Sequence, residues 1–142
     1  MDSKYEVLKL SNQLCFPLYA ASNKIIRNYK PLLDDLDLTY TQYITMMVLW
    51  EKKQVNEKQL GDTLFLKSNT LTPLLKKLEV KGYITRKKDK NDERSLIISI
   101  TKTGEELKEK AVCIPEKMCN NLKLNAEEAQ KLYNLLYKIL EE

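Results

Sequence analysis

The 142-residue sequence contains no histidine. That absence removes the side chain most often used as a general base near neutral pH, and with it Ser-His-Asp triads and His-ligated metal centres. Three glycines leave no phosphate-cradling loop to be written. No apolar run approaches the roughly 18 residues of a membrane span; the longest is about YITMMVLW, Tyr43 to Trp50. The opening MDSKYEVLKL lacks a basic stretch followed by an apolar one, so no signal peptide is expected and a cytoplasmic protein is. Cysteine is also scarce. Cys15, Cys113 and Cys119 form an odd set, so structural disulfides are not expected, and redox chemistry or plain burial remains. No cofactor, metal or membrane partner is expected, and an ordinary enzyme is disfavoured.

What is present is enough for a core. The chain is 43% hydrophobic and 31% charged, and one domain is the expectation for this length. A net charge of +4 permits nucleic-acid binding without requiring it. Leu10, Leu14, Leu18, Ile25, Ile26, Tyr29, Leu32, Leu33 and Leu36 recur at helical spacing, which predicts a long first helix kinked by Pro17 and Pro31. Thr39 with Gln42, Asn56 with Gln59, Thr103 with Glu106 and Asn125 with Glu128 have capping-box spacing and mark four later helix starts. Leu71, Leu74, Leu75 and Leu78 form one buried stripe of a further helix, capped by Ser68, Asn69 or Thr70 and ended by Gly82. The period then changes. YITRK and LIISI are β-type runs flanking the polar KDKNDERS, the pattern of a hairpin with a long tip. Short helices followed by a hairpin predict a mostly α protein with a winged helix-turn-helix over about 39–101. The segments about 5–36 and 103–141 would be helical. The latter carries Leu107, Ala111, Ile114, Met118 and Leu122, then Leu132, Leu135, Leu136, Ile139 and Leu140. That apolar surface exceeds what a small winged helix covers, so these segments are expected to form a homodimer interface.

A DNA-reading helix needs one apolar stripe and a polar face that fits the major groove. Ser68, Asn69, Thr70, Thr72, Pro73, Lys76 and Lys77 supply that face, with short hydroxyls and an amide near the helix start. The hairpin tip is expected to hold Arg86, Lys87, Lys88, Lys90 and Arg94 among Asp89, Asp92 and Glu93. An arginine at a wing tip suits a minor groove, and Asp92 is placed to orient Arg94 through a charge-assisted bond. The plain reading of each feature alone is a capped surface helix and a solvated charged turn; their succession favours double-stranded DNA.

The stretches NQLCF, LTYTQYITMMVLWE and LTPLLKKLEVKGYITRKKDKNDERSLIISIT resemble the MarR family, and within it the branch of organic-hydroperoxide-sensing repressors, over about Leu8 to Leu140. The resemblance implies a dimer on a pseudo-palindromic operator, the recognition helix in the major groove and the wing in the minor groove. Asp92 and Arg94 match the wing's acid–arginine positions.

Cys15 opens the remaining question. Burial is a common fate for cysteine. Against it, Tyr19 lies one turn on and on the same face, and Tyr29, fourteen residues on, falls within about 40° of that face. Phenol hydroxyls donate to a thiolate, the species that attacks a peroxide oxygen. The family resemblance implies that Cys15 is the peroxide sensor, that Tyr29 and Tyr40 reach it across the dimer, and that Tyr19 lies in its pocket. It also makes Cys119 a possible resolving thiol on the partner chain, ahead of Cys113. The expected function is a redox-sensing repressor released from DNA when organic hydroperoxide oxidises Cys15. The alternatives are a MarR-type regulator answering a small aromatic ligand, a thiol peroxidase and a helical protein–protein adaptor.

Overall fold

The computed structural model describes residues 3–141 in two compact units, one ending at Ala111 and one beginning at Val112. In the first unit, two 3-10 turns (Ser3–Leu8 and Leu10–Asn12) precede α1 (Cys15–Asp34), α2 (Tyr40–Lys52), β1 (Gln54–Asn56), α3 (Glu57–Leu64), α4 (Ser68–Val80), β2 (Ile84–Lys88), β3 (Leu96–Ile100), α5 (Lys102–Glu106) and α6 (Lys108–Ala111). The second holds α7 (Ile114–Asn121) and α8 (Ala126–Leu140). The mostly helical winged-helix expectation holds.

The first helix is shorter than its apolar period predicts. Leu10 and Leu14 lie outside it. The Asn12 and Gln13 carboxamides donate to the backbone carbonyls of Glu6, Val7 and Lys9, which holds the preceding chain in tight turns. Pro17 is the third residue of α1, where a helix has no use for the missing N–H, so it sits at a start and not at a kink. The helix runs on through Pro31 to Asp34.

Three of the four capping boxes form as predicted. The Gln42 N–H donates to Thr39 Oγ1 and the Thr39 N–H to Gln42 Oε1, and the Asn56–Gln59 and Asn125–Glu128 pairs repeat the exchange. The fourth does not. The cap of α5 is Thr101, still extended at the end of β3, and its hydroxyl accepts from the Gly104 N–H. The long helix expected after the wing is divided into α5, α6 and α7. Pro115, near the start of α7, has no N–H for the Ala111 carbonyl that a continuous helix would require.

The core of the first unit is built around α4. Leu71, Leu74, Leu75 and Leu78 are all buried, each contributing about 1.5–3 kcal/mol of gross apolar stabilisation. They share the interior with Met46 and Leu49 of α2, Leu60 of α3, and Ile84 and Ile98 of the sheet. The antiparallel sheet has the order β1–β3–β2, with Ile98 between Val55 and Arg86. α1 buries Leu33 alone. Leu18, Tyr19 and Ile26 stay exposed, as do Leu132, Tyr133, Leu135 and Ile139 of α8, none of whose side chains is buried. Among the described residues no helix is long and apolar enough to cross a membrane.

Candidate nucleic-acid interface and sensor cysteine

α3 and α4 are joined by a turn whose geometry the sequence dictates. Phe65 closes α3 in the left-handed region at φ 56, and the Leu66 N–H returns to the Gly61 carbonyl. A Cβ at Gly61 would lie 2.9 Å from the Leu66 carbonyl oxygen, so a bare Cα is required for the chain to turn back this tightly. α4 then begins at Ser68 with Lys67 at the cap. None of Ser68, Asn69 and Thr70 caps the helix, contrary to expectation; the Thr70 and Leu71 N–H groups bond the Lys67 carbonyl, and all three side chains are exposed in the first turn. Pro73, Lys76 and Lys77 continue the exposed face. Thr72 departs from it. Its hydroxyl is half-buried and donates to Glu57 Oε1 at 2.9 Å, fixing the start of α3 to α4.

The wing is ordered by its own acids. The Asn91 N–H donates to Asp89 Oδ1 and the Arg94 N–H to Asp92 Oδ1 at 3.0 Å. Asp92 therefore sets the backbone of residue 94, where the sequence suggested a bond to the guanidinium. Lys88, Asp92 and Arg94 are exposed. Arg86 is not at the tip. It lies in mid-strand opposite Ile98, with Nε 3.3 Å from Glu79 Oε1 while its N–H donates to Glu79 Oε2. Arg86 thus ties the wing to α4. A cleft of about 820 Å³ brings Ser68 of α4 together with Asp92 and Arg94 of the wing and with Lys58 and Lys67, two cations sequence reasoning passed over as contacts. Glu57 and Glu79 were passed over too. Arg86 follows Glu79 at an offset of seven, but only the turn at Gly82 makes them neighbours.

Cys15 is the first residue of α1 and is exposed, with the exposed Tyr19 one turn on. Tyr29 and Tyr40 pack against each other with ring centroids 4.8 Å apart, and Tyr43 and Trp50 extend the aromatic row. Burial pushes the Tyr40 phenol pKa above its ordinary value. Within one chain, the fourteen-residue offset puts Tyr29 about 21 Å along the helix from Cys15, so a shared face does not bring them together. Cys119 is exposed in α7, and Cys113 is exposed at that helix's N-terminal cap.

Residues 27–111 match the family of SarA/Rot transcriptional regulators. The chain is 48% identical over 141 residues to the organic hydroperoxide resistance transcriptional regulator of Bacillus subtilis, covering 99% of this chain and 96% of that one. It is similar to reduced AbfR bound to DNA, with a TM-score of 0.80 and 34% identity over 96% of both chains. It is also similar to disulfide-formed AbfR, with a TM-score of 0.66 and 34% identity over 97% of both; AbfR is a protein of Staphylococcus epidermidis. An exposed recognition helix fixed to an arginine-bearing wing, together with these matches, places the chain in a class of regulators and not of enzymes. The chain belongs to the MarR family of winged-helix transcriptional regulators, in the branch of the organic hydroperoxide resistance regulators.

Proposed function

We propose that the chain is a dimeric repressor that leaves its operator when an organic hydroperoxide oxidises Cys15. The observation that carries this reading is the placement of two half-sites, one at the start of α1 and one where the far part of α1 meets the start of α2. Cys15 stands exposed at one end of α1, and the Tyr29–Tyr40 phenol pair stands at the other. A two-fold axis between two copies pairs unlike ends twice over, since each residue then meets its counterpart's partner. The uncovered apolar side chains of α1 and α8 supply surface for such an interface. In the pair, the Cys15 thiolate attacks the distal peroxide oxygen. The O–O bond breaks, an S–O bond forms, sulfur loses two electrons, and the alkoxide leaves and takes a proton from solvent to become the alcohol. Tyr29, Tyr40 and Tyr19 would hydrogen-bond the thiolate and the departing oxygen. Cys119 of the partner subunit would then convert the sulfenic acid into a disulfide with loss of water.

On DNA, α4 enters the major groove with Ser68, Asn69, Thr70, Lys76 and Lys77, and Arg94 enters the minor groove. Pro73 continues that exposed surface, Thr72 and Arg86 hold it in place through Glu57 and Glu79, and Lys88 and Asp92 position the wing. The relatives support the reading: one is an organic hydroperoxide resistance regulator by name, and AbfR has been seen both reduced on DNA and in disulfide form.

The test is binding to a duplex from the chain's own promoter region, followed by fluorescence anisotropy. The protein should sediment as a dimer at micromolar concentration and bind with a steep inverse dependence on salt. It should release the duplex on treatment with cumene hydroperoxide and rebind it after a thiol reductant. Release by an aromatic acid with no response to peroxide would replace the redox reading by the ligand-gated one.

A further inference from the structure

The sensor helix and the recognition helix end in the same local motif. At the end of α1 the Asp37 N–H bonds the Asp34 carbonyl and the Leu38 N–H bonds the Leu33 carbonyl, with Asp37 at φ 53. At the end of α4 the Gly82 N–H bonds the Glu79 carbonyl and the Tyr83 N–H bonds the Leu78 carbonyl, with Gly82 at φ 83. Both are Schellman ends, in which the residue after the helix turns left-handed. Lys81 joins them. Its ammonium donates to the Asp37 backbone carbonyl and lies 3.4 Å from both the Asp37 carboxylate and Gln42 Oε1. Gln42 is buried, and the same Oε1 accepts the Thr39 N–H that starts α2.

This contact differs from the other ion pairs of α1 and α3. Lys30–Asp34 and Lys58–Asp62 link residues four apart on one exposed helix face, where such pairs hold nothing distant in place. Lys81 is only 27% exposed in its side chain and reaches across 44 residues. One of its acceptors is a backbone atom at a helix C-terminus, where partial negative charge collects. Lys81 also lines a cleft of about 390 Å³ beside Ile26, Arg27 and Tyr40, so the elbow that carries the sensor tyrosine carries the joint as well.

We infer that Lys81 is the positioning residue through which α1 and α4 turn together. The inference rests on the proposed reading of Cys15 as the oxidation sensor. Cys15 lies at the start of α1 and the DNA-facing side chains lie at the start of α4, while Lys81 links the far ends of both helices. A change of direction imposed on α1 at Cys15 is therefore delivered to the end of α4. Without the lysine, α1 pivots on its own apolar contacts and α4 keeps its setting on DNA.

The test compares the full-length wild type with Lys81→Met, Lys81→Gln and Lys81→Arg, using the promoter duplex as probe. Without oxidant, DNA should slow amide hydrogen exchange at Asp37 and Leu38 by about fivefold or more in wild type and Lys81→Arg, the lower range of ordinary coupling. It should leave these amides unchanged in Lys81→Met and Lys81→Gln. With cumene hydroperoxide, all four should oxidise Cys15 at the same rate by intact mass. The oxidation-induced fall in DNA affinity should shrink about fivefold or more in the Met and Gln variants and be restored by Arg. Wild-type protection and wild-type release in both neutral variants would overturn the inference. A lowered melting temperature with unaltered coupling would overturn it too, assigning Lys81 to stability alone. Lys81-dependent protection in a wild type that keeps DNA after oxidation would leave the joint standing and reject the sensor reading.

Discussion

Replacing Gly104 by alanine puts a methyl group where the fold has no room for one. A Cβ at 104 would stand 2.3 Å from the Tyr83 carbonyl oxygen and 3.0 Å from Ile100 Cγ1. The oxygen cannot retreat freely, because it accepts the Thr101 N–H at 3.0 Å in the residue that caps α5. Restoring an ordinary contact requires α5 to move by about 1 Å, and overpacking of this kind costs about 1–3 kcal/mol. That movement also strains two bonds at residue 104: the cap from its N–H to Thr101 Oγ1, and the bond its carbonyl accepts from the Trp50 indole at 2.9 Å. Each contributes about 1 kcal/mol. Alanine's greater helix propensity offsets about 1 kcal/mol. The net expectation is a loss of about 2–4 kcal/mol. Trp50 is the sole tryptophan and lies at the perturbed contact, so its fluorescence reports urea unfolding directly. With a urea slope of about 2 kcal/mol/M, the midpoint should fall by about 1–2 M. A midpoint equal to or above that of the wild type would refute the close approach of α5 to Tyr83.

Arg94→Ala should weaken operator binding by about 1–3 kcal/mol with the dimer intact, read by anisotropy at fixed salt; unchanged affinity would remove the wing from recognition. Tyr40→Phe should slow Cys15 oxidation roughly tenfold, the loss of one donor to a charged group, and weaken DNA binding less. Because burial raises the Tyr40 pKa above 10.0, the associated stability is fully present below that pH and is lost as pH rises through the higher folded value. Wild type should therefore lose stability above pH 10.0 more steeply than Tyr40→Phe, with coincident alkaline limbs as the contrary result. If Cys119 resolves the sulfenic acid, peroxide should produce a covalent dimer on a non-reducing gel that vanishes in both Cys15→Ser and Cys119→Ser. DNA release by a wild type that remains a monomer on that gel would leave a sulfenic acid or a mixed disulfide as the signal.

Local signals in the sequence survive folding where they are self-contained. The boxes at Thr39, Asn56 and Asn125 close on partners three residues away, and the leucine stripe of α4 needs only a helix and a core. Gly82 stops α4 because a left-handed residue is required there. What was illegible depends on longer reach. The Asn12 and Gln13 side chains capture carbonyls that a helix would have used, so apolar period alone overextends α1. Thr101 outcompetes Thr103 as the cap of α5 because it already stands at the end of β3, with its hydroxyl also donating to the Gly82 carbonyl. β1, three residues long, carries too little pattern to be noticed until Ile98 pairs beside Val55. Arg86 reads as one more wing cation until Glu79 is brought beside it. Residue type and helical face single out Cys15, Tyr19 and Tyr29 in the sequence, but angle around a helix says nothing of distance along it. The 21 Å or so between Cys15 and Tyr29 keeps the two apart within one chain, and on the proposed reading a second copy brings them together.

The central claim, that Cys15 oxidation is the signal, is tested most directly by the Cys15→Ser protein on DNA. Wild type and variant should bind the same promoter duplex with affinities within about twofold when reduced, since residue 15 lies outside the recognition surface. After one equivalent of cumene hydroperoxide per subunit, wild type should lose affinity by about tenfold or more, the size of an ordinary coupling between sites, while Cys15→Ser should stay bound. Release of the Cys15→Ser protein to the same extent as wild type would contradict the account.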